Sequence, residues 1–190
     1  MVHGVSGIVE PGNWSKILIK GIVVETDELR ELQAPLKKKY ADQPKSAMVT
    51  LKAGAKIGEG ITCKIETGKA LVEAGLHPAT GGDGLSVCSG DMLLEALVAC
   101  AGVTLGAVST AIGVELRDAA VSAEGDLDFR GTLAVSKTTP VGFQNIRLHF
   151  DLDCDASPEQ LASLIKLTER YCVVYQSLVS APEISISYSS

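Results

Sequence analysis

The chain has 190 residues, of which 46% are hydrophobic and 21% are charged, a composition that is typical of a globular protein and excludes a disordered or collagen-like chain. The 17 basic and 23 acidic residues give a net charge of −6, which argues against nucleic acid or an anionic membrane as a partner. A chain of this length buries about 70% of the surface that it exposes when unfolded, so one core can form without disulfides.

Residues 1–45 are predicted to form an N-terminal extension with a strand and a helix. An apolar run at residues 17–24 favours the strand, and Thr26 is a candidate cap for the helix that follows. The start of the chain lacks the basic residues and the apolar run of a secretory signal, so we expect the protein in the cytoplasm. Pro44 marks the boundary with residues 46–190, which we expect to form the main domain.

The main domain is predicted to begin with an antiparallel hairpin. Apolar residues alternate along 47–53 and again along 61–65, and a glycine-rich turn that contains Gly54 separates the two strands. A third short strand at 70–74 leads into a loop at 75–84, whose glycines and proline do not support regular structure.

A long apolar helix is predicted from about Gly90 to Gly113, with Ser89 as its cap. Residues 96–114 carry no charge, and this run of 19 residues would nearly cross a bilayer. It consists mostly of Ala, Gly, Ser, Thr and Val, Glu95 precedes it directly, and both ends lack basic or aromatic anchors. We therefore expect a soluble core helix that is buried on all sides.

Alternating apolar residues return after this helix. They run along 119–135, with a break near Gly131, and along 143–152, which predicts three strands or one bent pair. A last alternating strand is predicted after Pro182, with the apolar residues Ile184, Ile186 and Tyr188.

A second long helix has a strong start sequence. Ser157 is a candidate cap, Pro158 suits the first helical position, and Gln160 can close a capping box. Helical spacing of apolar residues carries the helix to about Val179, with a break near Cys172. Strands grouped around two helices, without regular alternation, predict an α+β fold with a mostly antiparallel sheet.

Five cysteines are spread irregularly along the chain: Cys63, Cys88, Cys100, Cys154 and Cys172. Their odd number and the lack of a CxxC pair argue against a zinc site and against a secreted disulfide framework, so we expect reduced thiols. Cys100 and Cys172 fall on the two long helices, which we expect to touch. The two thiols would then cycle between a dithiol and a disulfide, unless they serve only as small apolar core side chains.

Three segments resemble the OsmC/Ohr family of organic hydroperoxide reductases. They are SGDMLLEALVAC at 89–100, GGDG at 81–84 and ERYC at 169–172. The resemblance covers residues 46–190 and implies an α+β, OsmC-like fold in which mostly antiparallel sheets wrap around two long central helices. It also implies an intertwined homodimer with two active sites at the subunit interface.

The resemblance further implies a thiol peroxidase. Cys100 matches the peroxidatic cysteine, whose thiolate attacks an organic hydroperoxide, becomes a sulfenic acid and releases an alcohol. Cys172 matches the resolving cysteine, which condenses with the sulfenic acid to form a disulfide. A dithiol reductant, in this family a lipoylated protein, reopens that disulfide, so no bound cofactor is expected.

A thiol deep in an apolar helix has a raised pKa, so we expect a cation beside it. The family uses an arginine in the first hairpin loop, held by an acidic residue near the start of the cysteine helix. Lys56 matches the arginine position, and Asp91 is the nearest candidate for the acid. Lysine keeps the positive charge but lacks the planar guanidinium group that forms two parallel hydrogen bonds to a carboxylate. Arg130 and Arg170 are the other candidate cations.

Two departures from the family pattern motivate a second hypothesis. Lys56 replaces the arginine, and Val173 follows the second cysteine where the family commonly has proline. The alternative is an OsmC-like protein that binds a lipid or another small molecule, or acts as a redox sensor, without peroxidase turnover.

The remaining polar candidates favour structural roles. Glu95 is expected to form an ion pair, and the loop that begins at His77 lacks the lysine of a Walker sequence, so turn geometry explains its glycines. His77 and Cys88 supply at most two ligands, and no metal site is predicted. Cys88 precedes the Cys100 helix and is a substitute candidate for the resolving cysteine.

Overall fold

The computed structural model describes residues 54–57, 62–66 and 71–189, together with positions 27, 31, 33–35, 38, 42 and 43. The described positions from 27 to 42 are helical, in agreement with the helix predicted after Thr26. The strand predicted at 17–24 and the first hairpin strand at 47–53 lie outside the described residues.

A four-stranded sheet opens the main domain. Strands β1 (Gly54–Ile57), β2 (Thr62–Glu66) and β3 (Leu71–Gly75) pair antiparallel, and the short strand β4 (Val87–Cys88) pairs parallel with β3. The second predicted hairpin strand, 61–65, corresponds to β2, and its antiparallel partner among the described residues is β1, where the turn was predicted.

One correction concerns the end of the first hairpin strand. Gly54 and Lys56 lie in β1 and not in the turn, because Gly54 pairs with Glu66 and the pairing continues to Ile57 opposite Cys63. The physical reason is that Ala55 and Ile57 continue the period-two alternation, which keeps the backbone extended.

Helix α1 (Ser89–Ile112) is the longest element of the described chain. Cys88, and not Ser89, occupies the cap position, since the pairing of Cys88 with Gly75 in the sheet holds its backbone extended. Gly113 ends the helix as predicted, with φ of +72°, and its N–H donates to the carbonyls of Ser109 and Thr110.

The burial of α1 differs from the prediction. Its buried residues lie on one face: Leu97, Ala101, Leu105, Val108 and Ser109. Exposed residues lie on the opposite face, where Val103 keeps 77% of its surface accessible. By length and composition α1 is apolar enough to cross a membrane, a test that core helices of soluble proteins also pass.

A long two-stranded ribbon follows. Strands β5 (Asp118–Asp126) and β6 (Asn145–Asp153) pair antiparallel along their whole length. The strand predicted at 119–135 therefore ends early, and its second half contains a short helix, α2 (Phe129–Thr132). The side chain of Asp128 caps α2 by accepting a hydrogen bond from the Arg130 N–H, which favours a turn over a continued strand.

The second long helix is interrupted. Helix α3 (Pro158–Tyr171) begins with the predicted capping box between Ser157 and Gln160. Cys172 leaves the helical conformation, with φ of −72° and ψ of +107°, and helix α4 (Val173–Val179) follows. Both the start and the break are confirmed.

The last predicted strand is wrong for this chain. Residues 181–189 have no regular structure, and Ile184, Ile186 and Tyr188 are 80%, 92% and 95% exposed. Alternation supplies one apolar face, but a strand also requires a neighbouring edge for its backbone groups, and within the described residues 181–189 pair with none.

The core lies between the two long helices and the ribbon. Leu105, Val108 and Val114 are buried against Leu164 of α3, and apolar residues of both ribbon strands pack on them. This arrangement is the predicted α+β class, and it holds the middle of α1 against the junction of α3 and α4.

Candidate functional site

The cysteines of the two long core helices, Cys100 and Cys172, lie next to each other. Cys100 lies in the middle of α1, Cys172 lies at the break between α3 and α4, and α1 packs against both of these helices. The side chains of Cys100 and Cys172 are hydrogen-bonded to each other. No disulfide joins the two cysteines in this structure.

The break at Cys172 supplies donors to this site. The Cys172 N–H donates to the Thr168 carbonyl at 2.9 Å and closes α3, while the Cys172 carbonyl accepts from the Gln176 N–H at 2.9 Å and opens α4. The first N–H groups of a helix have no acceptor inside it. At α4 they point to the two sulfurs, and those of Val173 and Val174 reach Cys100.

These donors set the charge state of Cys100. Burial by itself raises the pKa of its thiol, but hydrogen bonds outweigh that effect, and the pKa of Cys100 lies below its ordinary value. The largest of them comes from the Val174 N–H, followed by the Cys172 thiol, the Val173 N–H and the Thr104 side chain. The donors that lower the pKa of Cys100 in the described part of the chain are all neutral.

The pKa of Cys172 moves the other way. Its side chain is 1% exposed, and burial raises its pKa. The N–H groups of Tyr175 and Val174 oppose this effect, but the thiol also donates to Cys100 and faces the charge that develops there, so the pKa of Cys172 stays above its ordinary value. Cys100 is therefore the thiol that ionises first, and Cys172 keeps its proton.

The predicted cation and acid are not brought to the thiols by the described contacts. The backbone of Lys56 lies in β1 opposite Lys64, and its side chain lies outside the described part of the chain. Asp91 is exposed in the first turn of α1. It lies about 13 Å along the helix axis from Cys100, so it reaches the thiol only through a bridging side chain.

The two alternative cations have other partners. Arg130 lies in the short helix α2 and forms an ion pair with Asp128, which caps that helix. The Arg170 guanidinium lies 5.7 Å from the ring centre of Tyr171, its neighbour in the chain. Neither arginine is among the groups that shift the pKa of Cys100.

The other candidates are also distant from the two thiols. Cys88 begins α1, about 18 Å along the helix axis from Cys100, so the structure does not support it as a substitute resolving cysteine. Glu95 is exposed and has no ion pair among the described residues. His77 stacks on Phe129 at 5.0 Å and accepts a hydrogen bond from the Ala79 N–H, which is the turn geometry predicted for its loop.

Metal-binding side chains do not cluster around the thiols. In the described ranges no three His, Cys, Asp or Glu side chains lie close enough together to hold a metal ion.

Two contributors to the site were not predicted from the sequence. The break near Cys172 was predicted, but its consequence, that the N–H groups of Val173 and Val174 turn toward Cys100, was not. Thr104 was also missed, although its position one helical turn after Cys100 places both side chains on the same face of α1.

Comparison with known proteins identifies the family and the fold of this chain. A family model described as OsmC-like protein matches residues 81–187. No curated protein sequence matches this chain. An OsmC-like protein from Mycoplasma pneumoniae is similar in structure, with a TM-score of 0.59, 15% identity, and coverage of 70% of this chain and 89% of that one.

Two further solved structures carry names that refer to peroxide resistance. The protein from Legionella pneumophila, called an organic hydroperoxide resistance protein OsmC, has a TM-score of 0.56 and 17% identity over 70% of this chain and 92% of its own. The organic hydroperoxide resistance protein from Elizabethkingia anophelis has a TM-score of 0.56 and 17% identity over 71% and 91%. At these identities the likeness shows the fold, and the predicted α+β, OsmC-like architecture is confirmed.

Proposed function

This chain belongs to the OsmC-like protein family, and from that premise we propose that it is a cytoplasmic, thiol-dependent peroxidase that reduces organic hydroperoxides to alcohols. The single observation that carries the proposal is the hydrogen-bonded pair Cys100 and Cys172, whose pKa values are shifted in opposite directions. A two-cysteine peroxidase requires one thiol that ionises readily and a second that remains protonated in contact with it.

Cys100 performs the first step. Its thiolate attacks the outer oxygen of the hydroperoxide, a sulfur–oxygen bond forms and the oxygen–oxygen bond breaks. The hydroperoxide proton ends on the departing alkoxide, which leaves as an alcohol, and Cys100 becomes a sulfenate. The N–H groups of Val173 and Val174 that surround the sulfur are positioned to stabilise the negative charge before and after this step.

Cys172 performs the second step. Once the sulfenate has taken up a proton, the sulfur of Cys172 attacks that of Cys100, and the disulfide forms as hydroxide leaves. The proton that Cys172 retains until then converts the hydroxide to water. The resulting disulfide is reopened by two-electron reduction with an external dithiol of the lipoyl type, which itself becomes a disulfide.

The homodimer is part of the proposal. Exposed residues recur along one side of α1 at Ala96, Ala99, Val103, Ala107 and Ala111. This stripe carries no charge, and the half-buried Cys100 lies beside it. A second copy of the chain that covers the stripe would remove it from water and enclose the thiol in an apolar pocket at the interface, which suits an organic hydroperoxide.

Peptide mapping after brief exposure to one equivalent of cumene hydroperoxide tests the proposal. The expected product is a Cys100–Cys172 disulfide, formed equally in a Cys88→Ser variant. An unreacted Cys100 would overturn the peroxidase. It would favour the alternative in which the apolar stripe of α1 binds a lipid or another small molecule, and native mass spectrometry of the purified protein would then show a bound ligand.

A further inference from the structure

A groove opens on the surface beside the junction of α3 and α4. It has a volume of about 450 Å³, which lies in the range of about 300–1,000 Å³ that is typical of sites for small molecules. Its lining comes from the end of α3, from one side of α4 and from the residues that follow α4, up to Pro182. Cys100 and Cys172 do not line the groove, so it is separate from the two thiols.

Apolar side chains form part of the groove walls. They are Tyr171, Val173 and Pro182. The structure leaves Tyr171 58% exposed and Val173 69% exposed. Removing this surface from water is favourable, so the groove favours a ligand with an apolar body.

The wall on α4 is formed in the absence of a ligand. The Gln176 side chain donates a hydrogen bond to the Glu169 carbonyl at 2.8 Å. This bond ties α4 to the last turn of α3 and satisfies a carbonyl that the end of α3 leaves without a helical partner. A ligand therefore does not have to order the two helices before it binds, which lowers the entropic cost of binding.

Arg170 supplies a positive charge to the groove. Its guanidinium lies 5.7 Å from the centre of the Tyr171 ring. In the part of the chain that the structure describes, Arg170 forms no ion pair with a carboxylate, and none of the described residues that line the groove is acidic. The groove thus combines apolar walls with one cation that has no counter-ion among these residues.

This combination is complementary to an anion with an apolar chain. A guanidinium group forms two parallel hydrogen bonds to a carboxylate. The hydroxyls of Ser177 and Ser180, which also line the groove, are further donors. One positive charge matches a singly charged carboxylate better than a doubly charged phosphate.

We propose that this groove binds a small organic carboxylate. The carboxylate lies on the Arg170 guanidinium, and the apolar chain lies against Tyr171 and Val173. The proposal does not rest on the proposed peroxidase, because neither thiol takes part in the binding.

Calorimetric titration of the full chain with octanoate tests the proposal, and 1-octanol serves as the uncharged ligand of equal chain length. We expect octanoate to bind saturably and more tightly than octanol. Arg170→Gln should weaken octanoate binding about fivefold and leave octanol binding unchanged, because it removes only the charge. Arg130→Gln, which removes an exposed arginine outside the groove, is the matched control and should bind octanoate like the unaltered protein.

A further variant locates the apolar chain. Tyr171→Ala removes one wall and should weaken the binding of octanoate and of octanol alike. Unchanged affinity of this variant for both ligands would place the ligand elsewhere and overturn the proposal.

Three other outcomes would also overturn it. The first is equal affinity of the unaltered protein for octanoate and octanol. The second is equal affinity of Arg170→Gln and Arg130→Gln for octanoate. The third is an absence of octanoate binding together with weaker self-association of Arg170→Gln in light scattering, which would assign the groove to a second copy of the chain.

Discussion

The thiol of Cys172 donates a hydrogen bond to the sulfur of Cys100, although 72 positions separate the two residues in the chain. The break between α3 and α4 also turns the first N–H groups of α4 toward the two sulfurs. Hydrogen bonds lower the pKa of Cys100 despite its partial burial, whereas burial keeps the pKa of Cys172 above its ordinary value despite the N–H groups that oppose this effect. Unequal burial and unequal hydrogen bonding thus make two chemically identical side chains unequal.

Replacing either cysteine with serine should separate their roles. Cys100→Ser should abolish cumene hydroperoxide consumption. Cys172→Ser should consume about one equivalent per chain and then stall, since the sulfenic acid of Cys100 has no partner. Peroxide titration and trapping of the sulfenic acid with dimedone measure both results. Continued turnover by Cys172→Ser, with Cys88→Ser as the matched control, would contradict the assigned resolving role.

The alkylation of the two thiols should differ with pH. A thiol reacts as its thiolate, so its rate falls as the pH drops below its pKa. The pKa of Cys100 is lowered and that of Cys172 is raised, so between the two values iodoacetamide should label Cys100 first. Quantifying both peptides across a pH series checks the order. Labelling of Cys172 before Cys100 at any pH in this interval would be inconsistent with the site described above.

A charge on the exposed face of α1 should disrupt the proposed dimer. Val103→Asp would place an unpaired carboxylate in the interface and should weaken association about tenfold or more. Val141→Asp is a matched control, because Val141 is also exposed but lies in the loop after α2. Light scattering across a concentration series measures the association state. Equal behaviour of the two variants would exclude α1 as the interface.

The contribution of the Lys56 side chain to activity can be tested by comparison with Lys64, its neighbour on strand β2. If Lys56 supplies a cation to the site, Lys56→Met should lower the rate of peroxide consumption. Lys64→Met removes the same charge from the residue directly opposite in β2 and should have little effect. Similar rates for both variants would indicate that the neutral donors around Cys100 suffice.

The capping box of α3 should contribute measurably to stability. Ser157 accepts a hydrogen bond from the Gln160 N–H at 3.3 Å, and the Gln160 side chain accepts from the Ser157 N–H at 2.9 Å. Ser157→Ala should lower the free energy of unfolding by about 1 kcal/mol. Ser163→Ala, at an exposed position of the same helix, is the control and should change it by less than about 0.5 kcal/mol. Urea denaturation compares the two.

Much of the architecture follows from local rules in the sequence. The capping box at Ser157, the glycine stop at Gly113 and the start of the ribbon at Asp118 depend on residues within a few positions of one another. Local hydrogen bonds and side-chain periodicity decide such features, so they were predicted correctly. The exception is the region after Asp126, where the cap at Asp128 outweighs the apparent alternation.

The predictions that were wrong concern features that depend on residues distant in the sequence. Alternation at Ile184, Ile186 and Tyr188 predicts a strand, but the pattern cannot specify which edge would receive it. The apolar sequence of α1 predicted burial on all sides, whereas its buried residues lie on one face. Hydrophobicity indicates that removing a surface from water is favourable, but it does not specify which element or molecule covers that surface.

The sequence by itself determined the two helices, the family resemblance and the two cysteines at the proposed site. Only the tertiary structure decided that the donors around Cys100 include the N–H groups of Val173 and Val174 and the side chain of Thr104. The physical reason is that a pKa depends on the groups within a few ångströms of an atom. For Cys100 those groups come from α1 and from the start of α4, which folding brings together.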